Sequence, residues 1–284
     1  MTTIDDTQPL IDLPLVFFDV ETTGLDVQNG HRICELAMLR REHRQITDQI
    51  NTLINPEREL DPQASQVNGI RAEDLQSAPR FVELAVQVVQ LSQQAVRIAH
   101  NLPFDESFLN MELARAGYPP LTGPALDTLE LARRLGVRRG SLSLGALATS
   151  FGLPIPTHRA MNDVLTLHAL FDRLVVKLAD YGVTTLYDAL RFSRGLLPGQ
   201  PEPEAPPPLA AALASGTTLR IIYTSNSNPQ PVERRIRPIE LVIEPNGLSV
   251  RAFCYLRNDI RNFLLAKISA YLPDFPDESA ERGG

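Results

Sequence analysis

Residues 15–25, LVFFDVETTGL, place two carboxylates inside a run that otherwise reads as a buried strand. Leu, Val and Phe between Pro14 and Gly24 have the length and composition of a core strand, and side chains along a strand alternate faces with period two. Asp19 and Glu21 therefore share a face, roughly 6.6 Å apart at about 3.3 Å per residue. Two like charges at that spacing on a core strand repel each other and lose hydration. Two resolutions are open on this stretch alone. Either the strand ends in solvent and both acids reach water, or a divalent cation sits between them.

The rest of the first two-thirds alternates strand and helix patterns. Residues 32–40 and 46–54 read as two further strands of an antiparallel meander, and Asn55-Pro56 and Asp61-Pro62 then punctuate a loop. Beyond Pro79, Phe81-Val82, Leu84-Ala85, Val88-Val89 and Leu91 recur at helical spacing. A short strand, 95–101, runs into a helix with Pro103 at its start, and Asp105 falls in the first turn. An acid there is favoured by the helix dipole in any case. Asp127 begins a helix to Leu135, residues 142–151 continue the pattern, and residues 183–192 suggest one more short helix. Between these, Ala160, Val164, Leu167, Phe171, Leu174 and Leu178 form the single buried stripe of a long helix. Asp163 projects from the edge of that stripe and needs a partner. His158 can reach the same site only from the loop before the helix, because five helical positions turn a side chain through about 500°. This alternation is that of an α/β domain.

The composition changes at residues 196–208, a proline-rich charged stretch that marks a domain boundary. Short β-type runs follow at 219–223, 236–243, 248–254 and 261–268, the pattern of a small β-barrel-like domain. The domain limits expected are an N-terminal tail, 1–12; a first domain, 13–193; a linker, 194–208; a β domain, 209–272; and a disordered tail, 273–284. Between Leu209 and Leu272 eight basic residues face four acidic ones, on a chain whose net charge is −7. A local basic face is thus expected, while coating of nucleic acid by bulk charge is not. Met1 to Asp6 are acidic where a signal peptide is positive, and the longest apolar runs fall short of the roughly 18 residues of a membrane span. With two cysteines, Cys34 and Cys254, far apart, the expectation is a cytoplasmic protein with no membrane association.

Asp19, Glu21, Asp105 and Asp163 offer four hard oxygen donors, with His158 beside them. Such a set suits a pair of divalent cations, about 3.5 to 4 Å apart, clamping the attacking and leaving oxygens of an in-line phosphoryl displacement. A histidine beside them suits general-base work near neutral pH. The residues themselves therefore point to metal-assisted phosphodiester hydrolysis. His31, His43 and His168 are read as ordinary surface or core residues.

Three segments carry a resemblance. Residues 18–25 (FDVETTGL), 99–105 (AHNLPFD) and 158–163 (HRAMND) resemble the three motifs of the DEDDh 3′–5′ exonucleases, a group that includes the epsilon proofreading subunit of bacterial DNA polymerase III. Residues 67–70 (VNGI) and 127–129 (DTL) add to it. The resemblance implies a ribonuclease H-like fold, a mixed five-stranded sheet flanked by helices. It also implies two Mg²⁺ or Mn²⁺ ions. Asp19, Glu21 and Asp163 would bind the ion that activates water, Asp19 would bridge to the second ion, and Asp105 would support it. His158 would be the general base. Thr22, Thr23, Gly24 and Leu25 would cradle the terminal nucleotide, with Asn101 and Phe104 completing the pocket.

The implied partner is nucleic acid, DNA ahead of RNA, with replication or repair proteins as further partners in proofreading or repair. Two alternatives are an exoribonuclease and a regulatory protein that senses nucleic acid or nucleotides. The C-terminal part is similar to WYL domains, small SH3-like barrels, through residues 233–238, 252–254 and 261–263, with Leu248-Ser249-Val250 at the naming tripeptide. On that similarity Arg235, Arg251, Arg257 and Arg261 are candidate phosphate contacts.

Overall fold

The computed structural model describes residues 4–137 and 139–274. The chain divides into two compact units, Met1–Ser193 and Arg194–Gly284.

In the first unit the strands β1 (Leu15–Thr22), β2 (Ile33–Glu42) and β3 (Gln45–Leu53) form an antiparallel meander. The helices α1 (Pro62–Asn68), α2 (Ala72–Leu75) and α3 (Phe81–Ser92) lead to β4 (Val96–Ala99), which pairs parallel to β1. After α4 (Leu102–Arg115), β5 (Ala125–Asp127) adds in parallel to β4, giving the order β3-β2-β1-β4-β5. The helices α5 (Thr128–Leu135), α6 (Leu144–Phe151), α7 (Ala160–Ala179) and α8 (Leu186–Ser193) complete the unit. This is the ribonuclease H-like mixed sheet.

Period-two alternation along β1 divides the core. Leu15 and Phe17 pack with α5, α7 and α8 through Leu131, Leu167, Phe171 and Leu186 on one face. Val16, Phe18 and Val20 pack with α3 and α4 through Phe81, Val88, Phe108 and Leu109 on the other. Both faces of the central strand are thus apolar except at its C-terminal end, where the odd-numbered face changes to Asp19 and Glu21. Ligands of open α/β sheets bind beyond the carboxyl ends of the parallel strands, and β1 and β4 both end there.

The second unit holds α9 (Pro207–Ser215) and the antiparallel strands β6 (Leu219–Tyr223), β7 (Val232–Glu244), β8 (Gly247–Cys254), β9 (Asp259–Leu264) and β10 (Ile268–Pro273), in the order β10-β6-β7-β8-β9. Its core joins Leu209 and Ala212 of α9 to Leu219, Ile221, Ile236, Val250 and Phe263. Pro238 stays in register with Ala252 of β8 beyond the point, Ile236, where pairing with β6 ends, and the residue left out of the ladder is the next one, Ile239.

Four local expectations change. Asp61-Pro62 opens a helix instead of punctuating a loop: the Asp61 side chain caps α1 by accepting from the Gln63 N–H, with Pro62 in the first turn. The expected linker of 194–208 is shorter, since Pro207 and Pro208 stand at the start of α9, where a missing N–H costs nothing. The expected N-terminal tail is docked before β1: Leu10 is buried, its N–H donates to Thr184 O at 2.9 Å, and Pro9 bridges Thr185. Pro273 belongs to β10 and the Asp274 carboxylate accepts from Arg235 Nε at 2.6 Å; the remainder of the expected tail, 275–284, lies outside the described residues. No helix among the described residues is long and apolar enough to cross a membrane.

Candidate active site

The four acids arrive from three elements. Asp19 and Glu21 share the β1 face turned toward α7. Pairing of β1 with β4 covers only Leu15–Phe17, so the later β1 amides on that side lose their ladder partner. Asp105, in the first turn of α4, takes one over: its Oδ1 accepts from the Val20 N–H at 3.1 Å. Asp163, in the first turn of α7, accepts from the Thr157 N–H at 2.9 Å. Both helices aim their positive ends at the acids.

His158 is exposed and lies one residue before the Arg159 cap of α7, in a left-handed backbone with φ of 56°. From there its ring joins Glu21 and Asp163. One ligand atom from each of these three residues lies within 4.8 Å of the other two, the one such cluster among the described residues. The loop position required of His158 by helical geometry is the one it occupies.

The electrostatics demand a counter-charge. Burial, the adjacent Asp105 and Glu21, and then Asp163 and Glu35 hold the Asp19 carboxyl well above the ordinary range. Burial, with Asp163 and Glu35 nearby, pushes Glu21 up to about 8, an effect that the Asn68 amide partly offsets. Asp105 is pushed up to about 8 by burial against the relief of the Val20 amide, and Asp163 is raised by burial. Every one of the four is shifted toward its neutral form. Carboxylate oxygens crowded in this way, with an imidazole beside them, fit a hard divalent cation, which restores their ionised form.

The flanking residues form a floor beside the acids. Thr22 Oγ donates to Gly24 O at 2.7 Å. Thr23 is buried, and its hydroxyl oxygen lies 3.1 Å from His31 Nδ1 and accepts from the Arg32 N–H at 3.0 Å. The His31 ring lies flush on Gly24, where an added Cβ would stand 2.3 Å from its Cε1. Leu25 projects with 85% of its surface exposed. Asn101 is held in a left-handed conformation, φ 71°, with its N–H donating to Asp127 Oδ1 at 2.9 Å. Phe104 packs on Phe108 with ring centroids 5.0 Å apart.

From the sequence Glu35 is not singled out and His31 is assigned no role, and Asp127 enters the resemblance without a place in the site. Glu35 carried a readable signal, since it is an acid within the apolar run of β2, the same anomaly that marked β1. His31, which nothing in the sequence distinguishes from an ordinary surface or core histidine, supports the Thr23-Gly24 turn.

The four C-terminal arginines do not converge. Arg235 lies over the Tyr255 ring at 4.9 Å and pairs with Asp274. Arg251 pairs with Glu240 at 2.6 Å, and Arg261 with Asp259 at 3.3 Å. Arg261 is in register with Ala252, so it takes the opposite face from Arg251. Arg257 is exposed in the turn after β8.

A family model described as an exonuclease, RNase_T, matches residues 16–171, more than half of the chain. The chain belongs to this exonuclease family. A WYL-domain model matches residues 204–272, the second unit. Among curated relatives, the PolC-type DNA polymerase III of Staphylococcus haemolyticus is 32% identical over 174 residues, and that of Staphylococcus aureus 32% identical over 175. Each match covers 61% of this chain and 12% of the relative, so the chain spans about an eighth of those proteins. Among solved structures, the nuclease domain of 3′hExo, a DEDDh family member bound to rAMP, aligns at a TM-score of 0.50 and 16% identity, covering 62% of this chain and 96% of that one. A 3′-exonuclease solved in recognition of a histone mRNA stem-loop aligns at 0.50 and 16%, covering 61% and 66%. These likenesses establish the fold.

Proposed function

We propose that this exonuclease is a metal-dependent 3′–5′ enzyme that removes 5′-mononucleotides from single-stranded or frayed DNA, acting in the cytoplasm in replication or repair. The observation that carries the reading is the convergence of four acids, all shifted toward their neutral forms, with a histidine at the end of the central strand. No structural role for the acids accounts for that expense.

Asp19, Glu21 and Asp163 would hold one divalent ion, with Asp19 and Asp105 holding a second. When bound, the ions supply charge neutralisation at the scissile phosphate and a more acidic attacking water. His158 takes the proton of that water, and its exposed position before α7 lets it hand the proton on to solvent. The Thr22–Leu25 turn and Asn101 bind and orient the terminal nucleotide, and Leu25 stands as a wedge against the next base. Phe104 closes the apolar side of the pocket. In the second unit, Arg235, Arg251, Arg257 and Arg261 would add phosphate contacts at separate points.

Incubating 5′-labelled DNA oligonucleotides with Mg²⁺ or Mn²⁺ tests the proposal, with Asp19→Ala and chelator as controls. The expected product is a ladder shortened from the 3′ end that both controls abolish. Intact substrate with the wild-type protein and metal present refutes it. A matched RNA oligonucleotide cleaved faster than the DNA would move the assignment to RNA 3′ ends. Absence of turnover together with salt-sensitive binding by the whole protein would favour a nucleic-acid-sensing role.

A further inference from the structure

Glu35 has no part in the reading above, yet it is among the most deeply buried acids of the chain, with 2% of its surface exposed. It stands directly opposite Glu21 in the β1–β2 register. Its Oε1 accepts from Arg159 Nη2 at 2.9 Å, and its Oε2 accepts from Arg159 Nε at 3.1 Å and from the Ala160 N–H at 3.1 Å. The Arg159 side chain supplies no cap of its own to α7, so Glu35 caps that helix from the neighbouring sheet.

The other side of His158 is tied as well. The Thr157 N–H donates to Asp163, and Thr157 Oγ accepts from Asn162 Nδ2 at 2.9 Å. His158 is therefore the one link between a residue fastened to β2 and a residue fastened to α7. Its φ of 56°, a conformation that residues with a side chain rarely adopt, is held by those two anchors. The Arg159 guanidinium also feels the charges of Glu21 and Asp74 in addition to its pairing with Glu35.

We propose that Glu35 is a positioning residue with two effects: it fixes the backbone that aims His158 at Glu21 and Asp163, and it keeps the Arg159 guanidinium out of the cation site. The inference rests on the assignment of His158 as general base. Without Glu35, the loop 157–159 loses its anchor on the sheet and Arg159 is drawn toward Glu21, where it competes with metal.

The test is a double-mutant cycle on the full-length protein. Glu35→Gln keeps an acceptor for the Ala160 N–H and preserves size, but it breaks the ionic pairing with Arg159. Expected are a fall in kcat of about tenfold to a hundredfold, the scale of a misplaced reacting group, with KM for the oligonucleotide little changed. A higher Mg²⁺ concentration for half-maximal rate is also expected, and Arg159→Ala in the same background should reverse that metal shift. At saturating Mg²⁺, which removes the competition by Arg159, Glu35→Gln in a His158→Ala background should cost nothing further in kcat, because its remaining action on turnover passes through that ring. Losses that multiply in the double mutant, or an unchanged kcat in Glu35→Gln alone, overturn the proposal. A His158→Ala protein that turns over at the wild-type rate instead removes the general-base assignment, which separates the two failures. Circular dichroism melts of each variant in chelator monitor the fold. A Glu35→Gln protein that melts like wild type and loses kcat supports positioning, and one whose kcat loss disappears at temperatures well below its melt assigns Glu35 to stability alone.

Discussion

Replacing Glu21 by Gln should stabilise the metal-free protein while abolishing turnover. The folded protein holds a proton on Glu21 up to about pH 8, against 4.5 for the free side chain. Between those values the folded state binds one more proton at this position than the unfolded state, so stability declines as pH rises through the window. Each pH unit costs about 1.36 kcal/mol, which brings the penalty to roughly 3 kcal/mol at pH 7 and levels it off above pH 8. Gln has the same shape and no charge to lose. In chelator at pH 7 the variant should therefore melt roughly 6 to 12 °C higher, at 2–4 °C per kcal/mol for a unit of this size. At pH 5 the difference should shrink to a small remainder. Mg²⁺ should raise the wild-type melting temperature more than that of the variant, which lacks one ligand of the first ion and keeps Asp19 and Asp105 for the second. Calorimetry in chelator across pH 5 to 8.5, repeated with Mg²⁺, measures all three quantities. A wild-type protein whose melting temperature is level with that of the variant at every pH would show that the acids are not crowded in the folded state, and the electrostatic argument for metal would fall with it.

Other outcomes follow from individual contacts. Gly24→Ala sets a methyl group 2.3 Å from His31 Cε1, so it should push the ring off Thr23 and lower kcat/KM, and His31→Ala in the same protein should restore part of the loss; steady-state kinetics on a short oligonucleotide reads both. His158→Ala should reduce kcat by about 10² to 10⁴, the usual contribution of a general base, with added imidazole recovering part of it. Phe17→Ala removes a fully buried ring packed edge-on to Phe171 and His168, and should cost about 3–5 kcal/mol in a urea melt. Ending the chain after Pro198 should leave metal-dependent turnover intact, since the two clusters flanking β1 are built wholly from residues before 193, while KM on long substrates should rise if the second unit supplies phosphate contacts.

What could be read from the chain before its fold, and what could not, divides along the range of the interaction responsible. The acids of β1 are legible because their expense is local: Asp19 and Glu21 interrupt the apolar run Leu15-Val16-Phe17-Phe18 of a strand eight residues long. The long stripe of α7 was legible for the same reason, and with it the demand that His158 lie in a loop. Helix α1 spans seven residues and α2 four, too few to display a period, and α9 was hidden by two prolines that suit a helix start as well as a linker. Glu35 breaks an apolar run as plainly as Asp19 does, but its partner lies 124 positions away and only the fold brings Arg159 to it. The C-terminal arginines show the converse. A surplus of positive charge is visible in composition, but Glu240, Asp259 and Asp274 reach Arg251, Arg261 and Arg235 in the folded unit, so much of the charge is already answered. Buried charge therefore announces a site more reliably than counted charge does. In a strand an acid has to be compensated somewhere, and Glu21 of β1 and Glu35 of β2, opposite each other in register, both meet loop 157–159, through His158 and Arg159 respectively.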